Sequence, residues 1–199
     1  FGAFGIRAVT VPLYATSSEA QVHYILEDAQ IRYLFVGEQQ QYDVAFRVMA
    51  LSSSLKQIVA FDRDVKFDAQ DQTSIYMDDF LAMGKDGKHQ QEVDKRTAES
   101  QKEDLMNILY TSGTTGESKG VMLSHAGYES VMDAHCERFP GLGENDVVIN
   151  FLPFTHVFER AWSCWCLCVG AELNINLRPQ DIQMTIKEVR PTVMCSVPR

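Results

Sequence analysis

A loop rich in glycine and hydroxyl residues is the part of the sequence best suited to chemistry. Eight of the eleven residues from Tyr110 to Gly120 are Gly, Ser or Thr, and one is Lys119. Glycines let backbone amides approach phosphate oxygens closely, hydroxyls add neutral donors, and the lysine adds one mobile positive charge. The loop therefore predicts a polyphosphate site, built locally in a chain whose net charge is −9.

Two common motifs of similar composition do not match this loop. A Walker loop ends in Gly-Lys-Ser/Thr, whereas Ser118, Lys119 and Gly120 stand here, and the difference disfavours a kinase-like phosphate loop. A hydrolase nucleophile elbow needs glycine two residues before its serine, and Tyr110 occupies that position before Ser112. The remaining alternative is a solvated turn between two strands.

The string from Tyr110 to Gly120 resembles the phosphate-binding signature of the adenylate-forming, or AMP-binding, superfamily. That superfamily includes acyl-CoA ligases, luciferases and the adenylation domains of peptide synthetases. Ser118 stands where the family usually has proline, and this replacement loosens the φ restriction of the loop. A second segment, Phe151–Arg160, resembles the part of long-chain fatty acyl-CoA ligases in which Leu-Pro is followed by His-x-Phe-Glu-Arg. Further similarity to these ligases lies at 8–13, 18–28, 78–85 and 192–199.

The resemblance implies a reaction in two halves. A fatty acid carboxylate attacks the α-phosphate of ATP and releases pyrophosphate, and the thiol of coenzyme A then attacks the acyl-adenylate and releases AMP. Binding residues of this kind act by positioning and by stabilising charge. Carried over by position, the residues that would hold the β- and γ-phosphates with Mg²⁺ are Thr111, Ser112, Gly113, Thr114, Thr115, Gly116 and Lys119.

The resemblance also implies roles for individual residues. Thr115 would be the ligand of Mg²⁺, and Lys119 would act on the phosphates as a catalytic residue. His156 is the other catalytic candidate, because it would lie where the acyl carboxylate enters. Glu159 and Arg160 would fix the helix that carries His156.

Short β-branched runs alternate with amphipathic helical stretches along the chain. This alternation predicts an α/β fold with a mostly parallel sheet flanked by helices. The predicted strands are 7–13, 33–36, 57–61, 105–110, 121–123, 147–152, 172–176 and 192–197. The predicted helices are one that begins after Ser18, those at 42–51, 127–139 and 157–169, and one that begins at Pro179. Ser18 and Gln21 have the spacing of a capping box. The polar stretch at about 85–102 is expected to be a flexible connection because it has almost no large apolar residues.

Both ends of the chain run into strand-like patterns rather than into polar residues. Residues 1–199 are therefore interpreted as an incomplete large N-terminal domain of an adenylate-forming enzyme, without the small C-terminal domain. The resemblance places the family's Thr-Glu segment for Mg²⁺, its ribose-binding aspartate, its hinge and its C-terminal catalytic lysine beyond Arg199. We therefore expect negligible turnover from this part alone.

Composition disfavours several classes of function. The 18 basic residues are scattered among 27 acidic ones, which argues against a nucleic-acid partner. The longest apolar stretch, 161–171, is shorter than the roughly 20 residues that cross a bilayer. The five cysteines lack paired spacing, so a cytoplasmic location is expected, with peripheral membrane contact left open. Cys164, Cys166 and Cys168 are interpreted as members of a core helix rather than as metal ligands.

Two other functions stay open on the sequence. An adenylating enzyme can pass its acyl group to the thiol of a carrier protein rather than to coenzyme A. A short chain can also serve as a nucleotide-binding or interaction module without catalysis. Neither the length of the acyl chain nor the oligomeric state follows from the sequence.

Overall fold

The computed structural model describes residues 2–111 and 118–197. The chain divides into two compact units, Phe1–Met122 and Leu123–Arg199. The helices are α1 (Gly2–Gly5), α2 (Glu19–Asp28), α3 (Gln39–Met49), α4 (Met77–Ala82), α5 (Gln90–Ala98), α6 (His125–Arg138), α7 (Val157–Cys168) and α8 (Ile182–Val189). The strands are β1 (Tyr33–Val36), β2 (Gln57–Ala60), β3 (Ile75–Tyr76), β4 (Leu105–Thr111), β5 (Lys119–Ser124), β6 (Val147–Asn150) and β7 (Glu172–Ile175). A 3₁₀ turn at Pro179–Asp181 precedes α8.

The first unit is built around the parallel sheet β1-β2-β3. Leu34 pairs with Ile58 in this sheet, and Val59 pairs with Ile75. Helices α2 and α3 each bury one face in the core that they share with these strands, as expected for αβ units. The buried members of this core are Val22, Leu26, Val36, Tyr42, Ala45, Val48, Leu55, Ile58, Ala60 and Val65.

A separate two-stranded sheet joins β4 to β5, and the boundary between the units falls within β5. Both strands lie at the places where the sequence predicts them, although β5 is longer than the predicted 121–123.

The second unit is built around the parallel pair β6 and β7, in which Val148 lies opposite Leu173. Helix α7 packs its tryptophans on this pair, and Trp165 is fully buried. The buried members of this core are Val148, Trp162, Trp165, Cys166 and Ala171. The described strand pairings of β1 with β2, β2 with β3, and β6 with β7 are all parallel, so the predicted α/β class with a mostly parallel sheet is confirmed.

Two predicted terminal strands are not formed. In the segment 7–13 the pairing is limited to a bridge between Thr10 and Asn107, and Pro12 offers no amide that could extend it. The residues before it, Gly2–Gly5, form the short helix α1 instead. In the segment 192–197 the pairing is limited to a bridge between Val148 and Val193.

The polar stretch at 85–102 contains a helix, α5, that its composition did not predict. Arg96 pairs with Glu92 one turn away at 2.7 Å, and Gln90 donates to Asp94 at 2.7 Å. Such i,i+4 pairs stabilise a helix without any buried face. The composition correctly indicates that the stretch buries little apolar surface, since all but one of its residues are exposed. Its flexibility stays a prediction.

The described residues contain no helix that is long and apolar enough to span a bilayer.

The predicted capping box at the start of α2 is confirmed. The amide of Gln21 donates to Ser18 Oγ at 3.3 Å, and the amide of Ser18 donates to Gln21 Oε1 at 2.9 Å. Two amides that the first turn of a helix leaves without partners are thereby satisfied.

Replacing Ser18 with alanine is expected to destabilise α2 by about 1 kcal/mol, because one capping acceptor is lost. Amide hydrogen exchange of the full-length protein, read on peptides from α2, would measure the change. Ser17→Ala is the matched control, because it removes a neighbouring hydroxyl and keeps the cap. Equal exchange in the wild type and Ser18→Ala would contradict the prediction.

Candidate functional site

The glycine-rich loop leaves the end of β4 and enters the start of β5, two strands that are neighbours in one sheet. Thr111 is the last residue of β4 and Lys119 is the first of β5, and both side chains are exposed. The structure therefore places these two candidates at the two ends of the loop, where they are accessible to an anion. The other candidates in the loop, which are Ser112, Gly113, Thr114, Thr115 and Gly116, lie outside the described residues.

His156 is the N-cap residue of α7. Its Nδ1 accepts a hydrogen bond from the amide of Phe158 at 3.2 Å, and its own amide donates to the Pro153 carbonyl at 2.9 Å. A ring nitrogen that accepts carries no proton, so this bond places the proton of the neutral imidazole on Nε2. The exposed ring can thus donate from Nε2 to an incoming oxygen while Nδ1 holds the helix start.

Arg160 fixes the turn before His156. Its Nε donates to the Phe154 carbonyl at 3.0 Å, and its amide donates to the His156 carbonyl at 3.2 Å. The guanidinium therefore ties the first turn of α7 back to the segment that connects β6 with α7.

Glu159 is a buried carboxyl group, 1% exposed, in the first turn of α7. The thiol of Cys195 donates to its Oε2 across 3.8 Å. Burial raises the pKa of Glu159 to about 7, although the Cys195 thiol and the amides of Leu152 and Phe151 act in the opposite direction. The carboxyl thus joins α7 to the nearby segment after β6 and to Cys195, which is 36 residues away in the sequence.

Asn150 and Ser163 connect the end of β6 to the middle of α7. The side-chain amide of Asn150 donates to Ser163 Oγ, and Ser163 Oγ donates to the Glu159 carbonyl at 2.6 Å. Both side chains are buried. A buried polar group without a hydrogen-bond partner costs free energy, so the pair favours one position of α7 on β6.

The cysteines of α7 have different environments. Cys166 is fully buried, Cys164 is half-buried and Cys168 is exposed. Burial first, and the nearby Glu159 charge second, raise the pKa of Cys166 to about 12, which keeps its thiol protonated. Within 2–111 and 118–197, no three His, Cys, Asp or Glu side chains are arranged to hold a metal ion.

Asp28, Asn150 and Cys195 make contacts in the site that the sequence did not predict. Asn150 had a usable signal, because it is the polar member at the end of the apolar run of β6. Asp28 and Cys195 had none, since the partner of Asp28 is Tyr110, 82 residues away, and the partner of Cys195 is Glu159, 36 residues away. The phosphate-loop candidates belong to the first unit and His156 to the second.

The profile of a known family, described as AMP-binding enzyme, matches residues 1–199. The chain belongs to this family. The match covers both compact units, the glycine-rich loop and the segment around His156.

Curated relatives of this AMP-binding chain are named as acyl-CoA synthetases or ligases. The human long-chain-fatty-acid–CoA ligase 1 is 32% identical over 212 residues, which cover 100% of this chain and 29% of the relative. Long chain acyl-CoA synthetase 3 of Arabidopsis thaliana is 29% identical over 201 residues, which cover 95% of this chain and 29% of the relative. The chain thus spans under a third of the length of these relatives.

Solved structures of the same fold include an anthranilate CoA ligase in complex with anthranoyl-AMP. That structure has a TM-score of 0.71 and 22% identity, and the match covers 94% of this chain and 35% of the other. The N-terminal domain of FACL13 from Mycobacterium tuberculosis has a TM-score of 0.70 and 21% identity, with 98% of this chain and 45% of the other covered. These similarities show that the AMP-binding chain has the α/β fold of CoA ligase domains.

Proposed function

We propose that the full-length protein is an AMP-forming ligase that activates a long-chain fatty acid as its adenylate and then transfers the acyl group to coenzyme A. The observation that carries this proposal is the glycine-rich loop between two neighbouring strands, with Lys119 exposed at its end, in a chain matched throughout by the AMP-binding family. The names of the long-chain relatives support the substrate class. The anthranoyl-AMP bound to a structural neighbour supports an adenylate intermediate.

Two groups of residues would carry the chemistry: the glycine-rich loop would bind the phosphates of ATP, and His156 would bind the carboxylate of the fatty acid. A carboxylate oxygen forms a bond to the α-phosphorus of ATP as the bond to pyrophosphate breaks, and negative charge collects on the leaving group. Lys119 offsets this charge, and the backbone amides and hydroxyls of the loop bind the phosphate oxygens. Thr111 adds a hydroxyl at the other end of the loop.

Mg²⁺ suits this site because a cation on the phosphates lowers the charge that Lys119 must offset. Thr115 is the proposed ligand within this chain, since its hydroxyl oxygen is a type of ligand that Mg²⁺ accepts.

A cytoplasmic location of the protein, with or without contact to a membrane surface, stays a prediction.

For the carboxylate of the fatty acid, His156 presents a neutral imidazole whose Nε2 carries the proton. A donor in this position can hold a carboxylate oxygen by a charge-assisted hydrogen bond. The Phe158 amide holds Nδ1, and Arg160 holds the preceding turn, so the donor is pre-oriented.

The proposed activity is tested by fatty-acid-dependent ATP–pyrophosphate exchange with the full-length protein, across short, medium and long acids. We expect exchange to be strongest with long acids. Lys119→Ala should lower kcat/KM for ATP by about 10- to 100-fold, the effect of losing a bond to a charged group. Lys95→Ala, which removes an exposed lysine of α5, is the matched control and should leave exchange unchanged.

Absence of exchange with every acid, from a folded full-length protein, would contradict the ligase and favour a nucleotide-binding module. Exchange followed by transfer to a carrier-protein thiol, and not to coenzyme A, would keep the adenylation and change the acceptor.

A further inference from the structure

The two ends of the glycine-rich loop meet at one aromatic ring. Tyr110, the residue before Thr111, is 9% exposed, and Gly120 is the second residue of β5. A Cβ on Gly120 would lie 2.9 Å from Ile108 Cγ2 and 3.2 Å from Tyr110 Cζ. The first distance is too short for a Cβ and the second is tight, so any side chain at position 120 would require Ile108 or the Tyr110 ring to shift, and glycine allows β5 to pack this closely.

Helix α2 holds the same ring from another direction. Tyr110 donates its hydroxyl proton to Asp28 Oδ2 at 2.5 Å, and Asp28 is the last residue of α2. Tyr24, one turn earlier, meets the Tyr110 ring edge-on with centroids 6.4 Å apart. Burial and the neighbouring Asp28 carboxylate raise the pKa of Tyr110, so the phenol keeps its proton and remains the donor.

Asp28 lies at the end of α2 that is electrostatically unfavourable for a carboxylate. A carboxylate in the last turn of a helix faces the negative end of the helix dipole, and no basic residue of that turn compensates it. The adjacent Glu27 has a different reason to be there, because it accepts hydrogen bonds from Ser52 and Ser53. For Asp28 the bond to Tyr110 is the favourable contact that offsets the unfavourable placement.

We propose that Asp28, Tyr110 and Gly120 form a clamp that positions Thr111 and Lys119, the residues next to Tyr110 and Gly120 in β4 and β5, and thereby increases the affinity of these two residues for the phosphates of ATP. The three are positioning residues, because each acts through the backbone next to Thr111 or Lys119. The inference rests on the proposed function, in which this loop binds ATP. Side chains whose backbone is already held in place, here those of Thr111 and Lys119, have less conformational freedom to lose when they bind an anion, and affinity rises accordingly.

The clamp predicts a selective loss of ATP affinity. Tyr110→Phe removes one hydroxyl and keeps the ring, so the protein should stay folded. We expect KM for ATP in the exchange assay, and the Kd for ATP measured by calorimetry without fatty acid, to rise about 10-fold. KM for the fatty acid should stay within about twofold of the wild type. Tyr33→Phe, at an exposed tyrosine of β1, is the matched control and should change none of these values.

Three further single variants and one double variant separate the clamp from a general loss of stability. Asp28→Ala breaks the same bond as Tyr110→Phe, so the double variant should bind ATP no more weakly than either single variant. Asp28→Asn keeps an acceptor oxygen and should bind ATP more tightly than Asp28→Ala. Gly120→Ala should weaken ATP binding as well, because the added Cβ would clash with Ile108 Cγ2 and crowd the Tyr110 ring, and so displace β5.

The two proposals fail in different ways. An unchanged Kd for ATP in Tyr110→Phe and Asp28→Ala, or an equal loss of affinity for ATP and for the fatty acid, would overturn the clamp. Additive losses in the double variant would overturn it too. Absence of exchange with any acid in the wild type would overturn the ligase instead, and the calorimetric Kd would still decide the clamp.

Discussion

His156→Asn is expected to lower fatty-acid-dependent ATP–pyrophosphate exchange about 100-fold, while α7 keeps its stability. Asparagine is a good N-cap residue, so it replaces the bond from the Phe158 amide that His156 Nδ1 accepts. It does not replace the Nε2 proton that we propose as the donor to the acyl carboxylate. The variant therefore separates the structural part of the side chain from its chemical part.

His156→Ala completes the comparison, because alanine removes both parts. We expect the same loss of exchange, and in addition about 1 kcal/mol less stability in α7, measured by amide hydrogen exchange of the full-length protein. His89 offers a matched control. It is the N-cap residue of α5, but its side chain makes no capping bond among the described residues. His89→Ala should leave both values unchanged, and wild-type exchange in His156→Asn would refute the role of the imidazole.

Glu159→Gln is expected to remove a pH dependence of about 3 kcal/mol from the stability of α7. The pKa of Glu159 is raised from 4.5 to about 7 in the folded protein, and each pKa unit corresponds to about 1.4 kcal/mol. The folded state therefore holds this proton more tightly than the unfolded state does. The stabilisation is present in full below pH 4.5 and is lost as the pH rises through about 7.

The measurement is hydrogen exchange of peptides from α7 in the full-length protein at pH 5 and pH 8, corrected for the intrinsic exchange rates. Glutamine stays neutral and keeps an acceptor for the Cys195 thiol. Relative to the wild type, the variant should therefore be more stable at pH 8 and nearly equal at pH 5. Glu188→Gln, at an exposed glutamate of α8, is the matched control. If Glu159→Gln kept the pH profile of the wild type, Glu159 would not be the titrating group.

The short-range features of the fold were predictable. The capping box of Ser18 and Gln21 and the strand Tyr33–Val36 depend on residues within a few positions of each other, and both are present as predicted. Helix ends and strand ends shifted by one to three residues, because the last residues of an element are held by contacts outside it. The helix α5 was missed for the opposite reason, since its stability comes from pairs on its own surface and not from an apolar stripe.

In the candidate site, too, features made of consecutive residues were predictable and contacts between distant residues were not. The sequence by itself determined the family, through the residue types and spacing from Tyr110 to Gly120 and around His156, because a phosphate loop is a local object whose glycines and hydroxyls are consecutive. Only the tertiary structure decided which groups hold these segments in place. Asp28 reaches Tyr110 across 82 positions, and Cys195 reaches Glu159 across 36. Local periodicity does not encode such pairs, since they arise where elements distant in the chain pack side by side.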